Sequence, residues 1–98
     1  MTDDPYMLGP GQQAYFDALR AARSFGGNLA KVRDKNLEAA VAFLKISELG
    51  DNSVVWIGSW NMQEYTDDHK AWVLETVDGT TKPALRPRND TYHYLVEF

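Results

Sequence analysis

The chain of 98 residues has no cysteine. That excludes a disulfide framework, a thiolate nucleophile and any cysteine-based metal centre, so stability must come from packing. It also lacks a run of about 20 apolar residues, the length that crosses a bilayer as a helix. Its opening, Met1-Thr2-Asp3-Asp4-Pro5, carries neither the basic nor the apolar stretch of a secretory leader. A cytoplasmic location is the expectation, and a processed, secreted chain is the alternative. Positive charge is in the minority, with 10 Lys and Arg against 14 Asp and Glu and a formal net charge of -4. Neither nucleic acid nor an anionic membrane is an expected partner, since both require clustered cations. Ser24, Ser47, Ser53 and Ser59 lack the context of a nucleophile elbow, and no glycine-rich phosphate loop is present. The expectation is a protein that is not an enzyme and uses no cofactor. A small hydrolase on a borrowed scaffold is the remaining reading.

Apolar residues make up 44% of the chain and aromatic residues 12%, enough for a compact core and, at this length, one domain over residues 1–98. Tyr6-Met7-Leu8 reads as an opening strand closed by Gly9-Pro10-Gly11. From Gln12 to Phe25 apolar groups recur at Tyr15, Ala18, Leu19, Ala22 and Phe25, one face of a helix that Gly26-Gly27 stops. A second helix starts after Asp34-Lys35-Asn36, with either the acid or the amide as cap, and carries Leu37, Ala40, Val41 and Leu44 toward Glu48 and Gly50. Phe43 and Ile46 widen its apolar face. Ser53 to Trp60 is β-branched and aromatic and reads as a buried strand, with Trp56 in the core. Asn61 to Lys70 is polar and turn-like. Ala71 to Glu75, with Trp72 also in the core, then forms one arm of a hairpin turning at Asp78-Gly79. Thr80 to Asp90 holds two prolines and reads as a loop, and Thr91 to Phe98 alternates as a last strand. Helices come before most of the strands, which predicts an α+β fold with a small, mostly antiparallel sheet.

Taken in order, several segments resemble the C-type lectin-like domain. The family's first helix and the Gly-Gly-x-Leu-Ala that follows correspond to Tyr15, Ala18, Ala22 and Gly26-Gly27-Asn28-Leu29-Ala30. Its Trp-Ile-Gly-Leu strand corresponds to Trp56-Ile57-Gly58-Ser59, its Trp-x-Trp-x-Asp-Gly region to Trp72-Val73-Leu74 with Asp78-Gly79, and its closing Ile-Cys-Glu-Phe to Leu95-Val96-Glu97-Phe98. The resemblance implies two helices packed on the sheet, with N- and C-terminal strands adjacent. The family's disulfide between first helix and last strand would fall at Ala22 and Val96. Two apolar side chains then pack where a covalent bridge of about 4 kcal/mol would otherwise act.

The resemblance also implies a binding module. Sugar-binding members use a long loop with a Glu-Pro-Asn or Gln-Pro-Asp triplet, together with a Trp-Asn-Asp, to hold calcium. Here nine residues separate Gly79 from Asn89, and the prolines sit in Lys82-Pro83-Ala84 and Arg86-Pro87-Arg88. Cationic and apolar side chains stand where about six to eight oxygens are needed. Any sugar recognition is therefore expected to be calcium-independent.

Three groups of residues are candidates for binding. Lys82 to Arg88 carries three positive charges, with Arg86 and Arg88 as bidentate donors for an anionic glycan or an acidic protein patch, and Asn89-Asp90 beside them; the alternative is a solvated basic loop. Trp60 and Tyr65 offer flat rings for stacking on a sugar or filling a partner's pocket, unless the core takes Trp60. Asp67-Asp68-His69 holds metal-type ligands, but consecutive turn residues rarely converge on one ion, so no metal is assigned. His93 should face away from Tyr92 and Tyr94. The expected ligand-binding set is Trp60, Tyr65, Arg86, Arg88, Asn89 and Asp90, and the partner a glycan or, in the second reading, a protein or a second copy of the chain.

Overall fold

The computed structural model describes residues 5–64 and 69–98. Among these, the elements run β1 (Tyr6–Leu8), α1 (Tyr15–Ser24), β2 (Asn28–Leu29), β3 (Lys31–Val32), a 3-10 turn (Asp34–Asn36), α2 (Leu37–Ile46), β4 (Ser53–Trp56), β5 (Ser59–Trp60), β6 (Lys70–Val77), β7 (Thr80–Pro87) and β8 (His93–Glu97). No helix among the described residues is long and apolar enough to cross a membrane.

The main sheet has the order β1-β8-β4-β6-β7, antiparallel throughout except where β4 runs parallel to β8. Because β1 and β2 both pair with Val96 and Glu97, they lie on opposite sides of β8. Successive residues of a strand face opposite sides, and the sequence uses both. Val55, Ile57, Leu74 and Leu95 meet Ala40 and Leu44 of α2 on one face. Trp56, Ala71, Val73, Tyr94 and Val96 meet Tyr15, Ala18 and Ala22 of α1 on the other. Ala22 and Val96 are both fully buried in that second cluster, so apolar packing ties the first helix to the last strand. His93 shares its parity with Leu95, opposite to Tyr92 and Tyr94, as the alternation requires.

The α+β class and the adjacent terminal strands match the sequence expectation, while several boundaries and exposures move. Helix α1 begins three residues later than the apolar periodicity suggests, because Gln13 exchanges backbone hydrogen bonds with Tyr92 and keeps the chain extended through Ala14. Helix α2 ends at Ile46, since Ser47 turns extended and its hydroxyl donates to the Leu44 carbonyl. Ile46 and Phe25 are exposed rather than part of the apolar faces. Trp72 is only half-buried, and its indole Nε1–H finds no partner among the described residues. Trp56 is wholly buried and donates its Nε1–H to the Gln13 carbonyl at 2.8 Å.

The stretch expected as one strand over Ser53–Trp60 is two. β4 stays in the main sheet, whereas β5 leaves it to pair in parallel with β3. The break falls at Gly58, whose N–H donates to the Ala30 carbonyl at 2.8 Å. A Cβ on Gly58 would stand 2.7 Å from the Leu29 carbonyl oxygen, and one on Gly27 would stand 2.5 Å from the Glu97 carbonyl oxygen. Both family-like motifs therefore use glycine for close approach of backbone to backbone. Gly58→Ala is expected to lower stability by about 1–3 kcal/mol, because a fixed carbonyl rather than a mobile side chain occupies the space. Urea unfolding measures it, and an unchanged midpoint would contradict the close approach.

Candidate functional site

The segment expected as a basic loop is an edge strand. Asp78 and Gly79, with φ of 51° and 80°, make the tight turn between β6 and β7, and the Thr76 and Thr81 hydroxyls hydrogen-bond across the hairpin at 2.7 Å. The backbone N–H of Arg88 donates to the His69 carbonyl at 2.9 Å. Residues of even number in β7 thus direct their N–H toward β6, and Pro83 and Pro87 turn their missing donors to the open edge. An edge strand is where a sheet tolerates proline, which is why the two prolines do not mark a loop here.

This strand sets its charges against partners within the chain. Arg86 forms an ion pair with Glu75 of β6 and donates from Nη1 to the Leu85 carbonyl at 3.3 Å. Asp90 accepts the Tyr92 hydroxyl at 2.8 Å. Burial, then the Asp90 carboxylate, raises the Tyr92 phenol above its ordinary pKa, with Arg86 acting in the opposite sense. Burial alone raises Tyr94.

Arg88 has a different role. Its guanidinium carbon lies 5.9 Å from the Tyr15 ring centre and 5.2 Å from that of Phe16, and its Nε donates to the Lys70 carbonyl at 3.3 Å. Its own carbonyl accepts the Tyr15 N–H at 3.1 Å. The cation is spread over two aromatic faces and pins the start of α1. Asn89 is exposed in a turn closed by the Asp90 N–H on the Pro87 carbonyl.

Trp60 lies elsewhere. It is half-buried against the α2-side core and pairs in register with Val32. Its backbone also bridges to Gln63 around a tight turn in which Asn61 and Met62 have positive φ. Tyr65, Asp67 and Asp68 fall outside the described residues. Among the described residues no group of three or more His, Cys, Asp or Glu is placed to hold a metal ion.

Two clefts flank Phe16, which is 49% exposed. The first, about 340 Å³, has Phe16, Leu19 and Arg23 of α1 on one wall and Asn28, Lys31, Ser59 and Glu64 on the other. The second, about 320 Å³, is lined by Phe16 and Asp17 together with His69, Arg88 and Asn89. Of the expected site residues, Arg88 and Asn89 reach the second cleft; Trp60, Arg86 and Asp90 line neither. Residues that sequence reasoning passed over, Phe16, Arg23 and Lys31 foremost, build the first. A signal for Phe16 existed: it is an aromatic side chain off the Tyr15-Ala18-Ala22 stripe, and its seven-residue spacing to Arg23 puts the two on one flank of the helix.

No protein-family model and no curated protein matches the sequence. Solved structures do match. Rhodocetin superposes with a TM-score of 0.75 at 14% identity over 95% of this chain and 87% of that one. EMS16, described as an antagonist of collagen receptor integrin alpha2beta1 (GPIa/IIa), superposes with a TM-score of 0.71 at 16% identity over 100% of this chain and 94% of that one. The chain has the C-type lectin-like fold.

The polar couples make two predictions. Arg86→Ala removes the guanidinium partner of the mostly buried Glu75 carboxylate, and is expected to cost about 1–3 kcal/mol in chemical unfolding. Lys45→Ala on α2, an exposed residue away from Glu75, should stay within about 0.5 kcal/mol; equal effects would contradict the pairing. For Tyr92, the folded pKa lies above the unfolded one, so its contribution to stability is intact below an ordinary phenol pKa of 10.0 and is lost as pH rises through the folded value. Tyr92→Phe should therefore lessen the fall in unfolding midpoint from about pH 9 to about pH 11, with Tyr94 leaving a residual slope. An unchanged slope would contradict the assignment.

Proposed function

We propose that the protein is a non-enzymatic binding module that recognises a glycan without calcium, through Phe16 and the clefts beside it. The observation that carries this is the half-exposed Phe16 ring, held outward on α1 between two clefts that both carry polar side chains. The part of the Phe16 ring that Arg88 leaves uncovered offers a flat apolar surface for the C–H face of a sugar, and Arg23, Asn28, Ser59 and Glu64 provide donors and acceptors for hydroxyls. Calcium independence is supported by the hairpin, which leaves no long loop after Gly79: β7 starts at Thr80. Its proline-flanking positions carry Lys82, Arg86 and Arg88, and the Asp90 carboxylate is taken by Tyr92. Arg88 and Asn89 are kept as contacts in the second cleft.

EMS16 favours a second reading, in which the same face binds a protein, because that structural neighbour is described as a receptor antagonist. Self-association by adding strands at β7 is disfavoured, since Pro83 and Pro87 remove two outward donors from that edge.

A glycan array probed with the intact chain, with and without chelator, tests the primary reading. Binding should survive chelator, and Phe16→Ala should weaken it at least about tenfold with an unchanged circular dichroism spectrum. Loss of binding with chelator, or a folded protein that binds no glycan, would contradict it. Light scattering distinguishes a dimer from a monomer under the second reading.

A further inference from the structure

We propose, resting on the glycan reading above, that the ligand is a sugar acid whose carboxylate sits between Arg23 and Lys31 in the cleft beside Phe16. The two cations come from different elements, α1 and β3, and line the same space of about 340 Å³. Three other arginines are committed within the chain: Arg20 to Asp17, Arg86 to Glu75, and Arg88 to the Tyr15 and Phe16 rings. Arg23 and Lys31 form no ion pair among the described residues. Arg23 is oriented without being neutralised, because its Nε donates to the amide oxygen of Asn28 at 3.4 Å and its terminal nitrogens are left for a ligand. Lys31 is anchored by its backbone, whose N–H donates to Glu97 Oε1 at 3.0 Å, and its side chain is exposed.

Guanidinium and ammonium at one cleft are suited to a carboxylate, the guanidinium by paired N–H donors and the ammonium as a point charge. The remaining charges define the rest of the ligand. Glu64 lines the same cleft, and Glu97 lies behind the Lys31 backbone. Two carboxylates oppose a densely anionic group such as a sulfate cluster or polyphosphate. Glu64 instead accepts hydrogen bonds from hydroxyls, and Ser59 can donate or accept. One carboxylate, several hydroxyls and an apolar face to lie on Phe16 and Leu19 describe a uronic or sialic type of sugar.

The test is calorimetric titration of the intact chain, at low ionic strength, with a panel of uronate and sialyl oligosaccharides and their methyl esters. Esterification removes the charge and keeps the sugar. At least one acid should bind about tenfold or more tightly than its ester, and 0.5 M NaCl should narrow that ratio by weakening the acid selectively, as screening of an exposed pair requires. Arg23→Gln with Lys31→Gln, folded by circular dichroism, should bring acid and ester affinities together, so that the preference is lost. Acids and esters binding equally would overturn the carboxylate site while leaving the glycan reading intact. A preference that survives the double variant would also overturn it, by placing the carboxylate elsewhere. If neither form of any member binds and the neutral array is blank as well, the glycan reading fails and this inference with it.

Discussion

The structure depends on the burial of β8 between segments from both halves of the chain. β1 pairs with Leu95, Val96 and Glu97 on one side, while β4 and then β2 occupy the other. Val96 packs with Ala22 on the α1 face and Leu95 with Leu44 on the α2 face. The tight seat of Gly27 against the Glu97 carbonyl and the Glu97 carboxylate on the Lys31 amide extend the same junction to the turn after α1. Without β8 the helices would lose the surface that aligns them, and no covalent bond would hold the ends together.

That junction also determines where α1 points. Its leading residues are held by the Gln13–Tyr92 bridge, by the Trp56 indole on the Gln13 carbonyl and by Arg88 on Tyr15. Tyr15 turns inward against Trp56, with ring centres 5.6 Å apart, so the next residue, Phe16, is carried toward solvent. A ring exposed by such constraint loses little freedom when a ligand covers it. The clefts on its two sides follow from the same placement, one against the turn that leads into β2 and β3 and the other against the end of β7.

Much of the architecture is legible in the residues. Asp78-Gly79 marks a turn that needs positive φ at both positions, and it forms. Gly26-Gly27-Asn28-Leu29-Ala30 and Trp56-Ile57-Gly58 look unrelated in sequence, yet they meet through the Gly58 N–H and the Ala30 carbonyl. Ala22 and Val96 share one buried cluster. Two things were not legible. The prolines at 83 and 87 suggest a loop because proline is excluded from a paired strand, but their common parity lets both face an open edge, a property of the neighbouring strand order rather than of the local residues. β2 and β3 are two residues each, below any periodicity.

The site was less legible than the fold, because it depends on which side chains are consumed by others. Arg86 and Arg88 look available in a basic stretch; Glu75 and the Tyr15 and Phe16 rings, distant in sequence, take up their charge. Arg23 and Lys31 appear ordinary until the turn at Gly26-Gly27 brings the helix and β3 to one cleft. Trp60 has the aromatic character expected of a contact residue, and the α2-side core claims half of it.

The central claim, that sulfur-free packing holds the first helix to the last strand, is tested most directly by Ala22→Cys with Val96→Cys. The disulfide should form on air oxidation of the folded protein and raise stability by up to about 4 kcal/mol relative to the reduced form, as closure of so long a loop allows. Two thiols that stay free in the folded protein, or a bridge that lowers stability, would show that the helix and the strand do not meet at this point.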